Sequence, residues 1–269
     1  MSVLELQDVH VVHKRAGAPP VTAVDGVTLS LGAGEVLGLV GESGCGKSSL
    51  ARVAMGIDAP TSGRALFNGQ DVPRLGMRRR RGAALGLQMV FQNPYASLSP
   101  RRTVASQLLD GLPRSARDGS PRSETERLLD LVGLDATALG KYPHQFSGGQ
   151  RQRLAIARAL ASRPRVIVAD EPVTALDAFS AAQIVKLLTE LVGELGMGML
   201  FISHDLSLVR AIADRTAVMY AGKIVEEGPS EALWERPTHA YTRTLISAIP
   251  EITPTKQLPG QPEPTGDAA

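Results

Sequence analysis

Eight residues near the start of the chain combine types and spacing suited to phosphate chemistry. Gly41-Glu42-Ser43-Gly44-Cys45-Gly46-Lys47-Ser48 follows the pattern G-x-x-x-x-G-K-[ST], with Ser49 next. Glycines let backbone N–H groups wrap phosphate oxygens at a helix N-terminus, where the helix dipole favours anions. Lys47 is expected to reach the β- and γ-phosphates of a nucleoside triphosphate, and Ser48 to ligate Mg²⁺. Far along the chain, Val166-Ile-Val-Ala-Asp170-Glu171 is an apolar run ending in two carboxylates. A carboxylate at the C-terminal edge of a strand lies where α/β sheets bind ligands. There Asp170 is expected to hold the Mg²⁺ shell, and Glu171 to orient or deprotonate the water that attacks the γ-phosphate. Between the two motifs stands Phe146-Ser147-Gly148-Gly149-Gln150, just before a helical pattern. It would present a second set of N–H groups to an anion. One nucleotide in one chain does not need two phosphate sites. Two chains placed head to tail do, if each site takes one loop from each.

The elements that must position these residues follow from hydrophobic period. Val27, Leu29 and Leu31 alternate with Thr28 and Ser30, as in a half-buried strand. Val36–Val40 is continuously apolar, as in a strand covered on both faces. The glycine loop follows it, and then a helix from about Lys47 with Leu50, Val53 and Ala54 on one side. Residues 94–160 are punctuated by prolines and show helical spacing over Glu124–Val132 and Gln150–Ala161. An α/β pattern returns with a strand at Val166–Ala169, an amphipathic helix over Ser180–Val192, and strands at Met199–Ser203 and Thr216–Tyr220. Tyr220–Lys223 reads as a hairpin turn into Ile224-Val225. The reading is a core of residues 1–93 and 161–235, a helical insert over 94–160, and a C-terminal extension over 236–269. Its proline-rich end is expected to be extended or disordered.

Composition narrows the class. The 269 residues carry 29 Lys+Arg against 27 Asp+Glu, a formal net charge of +2. That balance does not suit a general nucleic-acid coat. Hydrophobic residues at 43% suit a buried core and exclude a disordered chain. With one cysteine there is neither a disulfide framework nor a four-cysteine metal site. The apolar runs are far shorter than the roughly 20 residues of a spanning helix, and the first residues lack a basic, apolar leader. The chain is therefore expected in the cytoplasm, reaching a membrane only through a partner. The Arg78–Arg81 run reads as a solvated loop face, with attraction to anionic lipid headgroups as the alternative. Arg151, Arg153 and Arg158 suit either phosphate binding or a polar helix face.

Taken together, the phosphate loop, Ser147-Gly-Gly-Gln150, Asp170-Glu171, Ala175-Leu-Asp177 and Ser203-His-Asp205 stand in the order of the ATP-binding cassette (ABC) ATPases, which the chain resembles over about residues 3–250. The resemblance implies an α/β, P-loop NTPase fold: a RecA-like core of ABC type with an antiparallel β subdomain and an inserted α-helical subdomain. It implies ATP and Mg²⁺ as ligands. It assigns Gln92 to the Q-loop, touching Mg²⁺ or water and facing the membrane partner. Asp177 becomes an interface residue, and His204 the switch histidine at the γ-phosphate. Ser147–Gln150 become a signature loop acting on the other subunit's ATP. Val90–Arg102, Tyr142–Arg153 and Pro237–Thr242 are similar to the ATPase subunits of peptide and nickel importers. That likeness implies a second ABC ATPase, identical or not, two transmembrane permease subunits and a substrate-binding protein. It also implies a place on the cytoplasmic face of the membrane and no nucleic acid. The alternative is the ATPase component of a soluble complex of the carbon–phosphorus lyase type.

Two features depart from that pattern. An aromatic residue ahead of the phosphate loop normally stacks on adenine, yet no Phe, Tyr or Trp precedes Phe67. His13 falls nearest the expected place, with less stacking area. Many relatives also follow a Leu-x-Gly segment like Leu258-Pro-Gly260 with a cysteine-rich cluster, whereas Cys45 is the one cysteine here.

Overall fold

The computed structural model describes residues 2–15, 17–75 and 86–248. Arg78–Arg81 and the proline-rich tail lie outside them. Two long strands open the chain, β1 (Ser2–Arg15) and β2 (Ala18–Gly32), paired antiparallel with several bulges. The alternation seen at Val27, Leu29 and Leu31 puts all three in the core, with Thr28 and Ser30 exposed. Then come β3 (Val36–Val40), α1 (Lys47–Ala54), β4 (Ser62–Phe67), β5 (Gln70–Asp71) and β6 (Leu87–Val90). The helices α2 (Val104–Gly111), α3 (Arg114–Asp118), α4 (Pro121–Leu131) and α5 (Gly148–Leu160) follow. The α/β pattern resumes with β7 (Val166–Asp170), α6 (Ala178–Leu195), β8 (Gly198–Ile202) and α7 (Leu206–Ile212). A hairpin of β9 (Arg215–Tyr220) and β10 (Lys223–Pro229) precedes α8 (Ser230–Glu235) and α9 (Ala240–Ser247).

The strands form two sheets. One is antiparallel, in the order β2-β1-β4-β5. The other is β10-β9-β3-β8-β7-β6, parallel except for the edge strand β10. Every residue of β3 and β8 is buried, which explains why both read as unbroken apolar runs. Alternate residues serve opposite faces. Leu37 and Leu39 pack with β1, β2 and α1, whereas Val36 and Val40 pack with the helices α5, α6 and α7. Between them Gly38 has no side chain because α7 leaves no room for one. A Cβ there would lie 2.3 Å from Val209 Cγ1 and 3.1 Å from the Ala213 methyl.

Between β6 and β7 the described chain is helical. Arg153 donates to the Val132 carbonyl at 2.6 Å and to Gln183 at 3.2 Å, and the Arg151 guanidinium lies over the Tyr95 ring at 5.0 Å. These two arginines join pieces of the fold to one another.

Pro237-Thr-His-Ala-Tyr-Thr242 builds the entry to α9. The Glu226 carboxylate on β10 accepts the Thr238 N–H at 2.7 Å, the Thr238 hydroxyl at 2.8 Å and the His239 N–H at 3.0 Å. Burial pushes this carboxyl up, but the donors from Thr238 and His239 hold it down at about 2. His239 Nδ1 in turn caps α9 by accepting the Tyr241 N–H at 3.2 Å. Helix α9 is thereby tied to the sheet that carries the phosphate loop.

Candidate functional site

The register of three parallel strands sets the site. Leu39 on β3 pairs with Ile202 on β8, and Ile202 with Asp170 on β7. The phosphate loop, Ser203-His204 and Asp170-Glu171 therefore leave the sheet at one level. This is the carboxyl edge at which α/β sheets bind ligands.

The loop from Gly41 to Ser48 wraps the start of α1. No side chain caps α1, whose N-cap is Gly46. The first N–H groups of a helix have no intrahelical partner, so an uncapped end favours an anion. Three neighbouring helices are closed by their own side chains. Ser147 and Gln150 form a reciprocal capping box on α5, Asp177 accepts the Ser180 N–H on α6 at 2.9 Å, and Asp205 caps α7. The second anion loop expected at Ser147-Gly148-Gly149-Gln150 thus satisfies part of its own hydrogen bonding. The Ser180 N–H bond also holds the Asp177 carboxyl below the usual range.

Lys47 is buried, at 5% exposure. Its ammonium donates to the Gly41 carbonyl at 2.7 Å and the Glu42 carbonyl at 2.8 Å, and lies 3.8 Å from Cys45 Sγ. A buried charge needs such partners. Cys45 is buried and is among the residues that line the cavity. Glycine is required at Gly46, where φ is +114° and a Cβ would lie 2.0 Å from the Ala23 carbonyl oxygen. The loop bounds an open cavity of about 410 Å³ that is also lined by His13, Val21 and Gly222. His13 and Val21 face each other across β1 and β2, and His13 Nε2 lies 3.1 Å from Ser49 Oγ. Ser147–Gln150 are not among the residues lining that cavity.

Of the two acids, Glu171 lines the cavity and Asp170 meets the loop through Ser48. The Ser48 hydroxyl donates to Asp170 Oδ1 at 3.1 Å. Burial pushes the Asp170 carboxyl up, a tendency that the Ser48 bond opposes and the Glu171 charge reinforces. Glu171 adopts a left-handed φ of +48°. Such a conformation in a non-glycine residue costs on the order of 1 kcal/mol. It is held by the Glu171 N–H donating to the Ile202 carbonyl at 2.9 Å and by the Thr174 hydroxyl donating to Glu171 Oε2 at 3.0 Å. Gln92 Nε2 lies 3.5 Å from the same oxygen, and His204 Nδ1 is 3.3 Å from Oε1. The fold thus brings Lys47, Ser48, Gln92, Asp170, Glu171 and His204 to one edge. Thr174 is an addition that the sequence reading missed. Its only signal is a hydroxyl three residues after Glu171, on the turn that the strained φ creates.

Residues 24–174 match the family described as ABC transporter. The chain belongs to that family. Residues 225–268 also match the C-terminal region of oligopeptide/dipeptide transporters. The oligopeptide transport ATP-binding protein AppF of Bacillus subtilis is 46% identical over 260 residues, covering 93% of this chain and 78% of the relative. OppF of the same organism is 48% identical over 234 residues, 86% of this chain and 77% of the relative. Among solved structures, cbiO1 from Clostridium perfringens, part of the cbiONQ transporter complex, aligns with a TM-score of 0.73 at 27% identity. That alignment covers 87% of this chain and 91% of the other. A dimer of the ATP-binding cassette MJ0796 bound to ADP and Pi aligns equally well at 30% identity, covering 84% and 98%. The ABC-type α/β fold expected from the motifs is the fold of this chain. No helix among the described residues is long and apolar enough to cross a membrane.

Gly46→Ala should collapse the cradle, because the new methyl meets a backbone carbonyl. Urea denaturation should show a loss of about 1–3 kcal/mol, and titration with ATP should show binding weakened more than tenfold.

Proposed function

We propose that this chain is the ATP-binding and ATP-hydrolysing subunit of a peptide importer. Its core is residues 1–93 and 161–235, its signature subdomain is 94–160, and residues 236–269 form an extension. The observation that carries the chemistry is Glu171, held in a strained turn by Thr174 and facing His204 beside the Ser48–Asp170 pair. The peptide assignment rests on the match of residues 225–268 and on the relatives' names.

In this reading Gly41–Ser49 wrap the phosphates, and Lys47 exchanges loop carbonyls for β- and γ-phosphate oxygens. Ser48, Asp170 and Gln92 offer the hard oxygen donors that suit Mg²⁺, which usually takes few protein ligands beside phosphate and water. Bound there, the ion would neutralise phosphate charge. Glu171 takes a proton from water as its oxygen bonds to the γ-phosphorus, and the bond to ADP breaks. His204 orients the same water or the γ-phosphate. His13 offers its imidazole face to adenine opposite Val21.

The cavity of one chain lacks the signature loop, so Ser147–Gln150 serve the ATP of a second ABC ATPase. Asp177 sits at that interface, and the neighbouring Phe179 is 74% exposed, an apolar ring available for burial there. Binding of ATP by the closed dimer alone would drive closure, and hydrolysis would reopen it. Two permeases would carry this motion at the cytoplasmic face of the membrane, with cargo delivered by a binding protein.

Glu171→Gln should lower kcat by roughly 10²–10⁴ and yield an ATP-stabilised dimer on size-exclusion chromatography. A rate like wild type would remove Glu171 from the chemistry. Purified from membranes of its own host, the tagged wild-type chain should bring polytopic permeases with it. Soluble enzyme subunits in their place would overturn the importer.

A further inference from the structure

One contact joins the last helix to the phosphate loop across 199 residues. The Tyr241 hydroxyl on α9 accepts the Glu42 backbone N–H at 3.1 Å. That N–H belongs to the same peptide group as the Gly41 carbonyl, which accepts the Lys47 ammonium at 2.7 Å. A single peptide plane is therefore pinned on one edge by Tyr241 and on the other by Lys47. Its orientation fixes where the ammonium rests and how the loop leaves β3.

Tyr241 is itself well anchored. Its ring lies 4.2 Å from that of Tyr220, at the end of β9. Immediately after Tyr220, the turn at Ala221-Gly222 lines the cavity, and the Gly222 N–H donates to the Cys45 carbonyl at 3.0 Å. The three bonds into Glu226 hold the entry of α9. The C-terminal segment thus grips the loop at Glu42, and the β9–β10 turn grips it at Cys45.

We propose that Tyr241 is a positioning residue for the phosphate loop, making nucleotide affinity depend on the docking of α9. Docked, the hydroxyl keeps the Gly41–Glu42 peptide in the orientation that shapes the cradle. Undocked, binding nucleotide must first order that peptide, and affinity falls. Coupling of this kind is reciprocal, so bound nucleotide holds α9 in place. The proposal rests on reading Gly41–Ser48 as the nucleotide loop.

The test is Tyr241→Phe in the full chain, which keeps the ring contact and removes the acceptor. Calorimetric titration with ADP should show Kd raised about two- to tenfold, the range for one net hydrogen bond. The KM for ATP should rise in step while kcat stays near wild type, with little change in Tm. A purely structural role would lower Tm and leave Kd alone. Glu226→Gln, aimed at the anchor of α9, should weaken ADP binding in the same direction. Wild-type Kd and KM in Tyr241→Phe would overturn the proposal, and a wild-type Kd in Glu226→Gln would overturn the dependence on docking. Absence of ADP binding to the unmutated chain would instead overturn the reading of the loop itself.

Discussion

The shared register of three buried parallel strands is the constraint on which the site depends. β3, β7 and β8 are covered on both faces, so a slip of one residue would turn apolar side chains to the wrong layer. Their alignment at Leu39, Ile202 and Asp170 brings the loop, the carboxylates and His204 to one edge. Hydrogen bonds extend the alignment past the strands. The Ser203 N–H reaches the Leu39 carbonyl, and the Glu171 N–H reaches that of Ile202. Packing of the core and placement of the loop, the carboxylates and His204 are the same structural fact.

Electrostatics at that edge leave both a cation, Lys47, and the carboxylates only partly satisfied. α1 is the helix whose N-terminus is left to the loop, while α5, α6 and α7 are closed by Ser147, Asp177 and Asp205. Lys47 rests on carbonyl oxygens of its own loop, a partnership that phosphate oxygens can replace. Asp170 is pushed toward its neutral form by burial, so a nearby cation would favour its charged form. The geometry therefore supplies partial satisfaction to each charge and leaves the rest to the ligand.

The fold was legible where local pattern and tertiary environment agree. The unbroken runs at β3 and β7 announce strands covered on both faces, and the Ser180–Val192 stripe grows only by a turn at its ends, to Ala178–Leu195. β4, β6 and α2 were not read. β6 has only four residues, and its pairing with β7 carries it rather than any period of its own. For the site, spacing identifies Lys47, Ser48, Asp170 and Glu171, because the phosphate chemistry demands those types in that order. Thr174 escaped because its role follows from the left-handed backbone at Glu171. Tyr241 escaped because its partner lies 199 residues away. The sequence motif around it, Pro237–Thr242, was visible only as a likeness; the Glu226 bonds supply its physical reason.

The proposed function requires each ATP site to take one loop from each of two chains. Mixing two disabled forms tests it most directly. Lys47→Ala removes the loop's cation, and Ser147→Arg blocks the signature loop, so each alone should be close to inactive. In a mixture, a dimer of one of each has one site built from two undamaged loops. ATPase activity should reappear on mixing, with a maximum at equal amounts. Wild-type activity in Ser147→Arg alone, or an inactive equal mixture of chains whose wild-type form dimerises with itself on ATP, would contradict it.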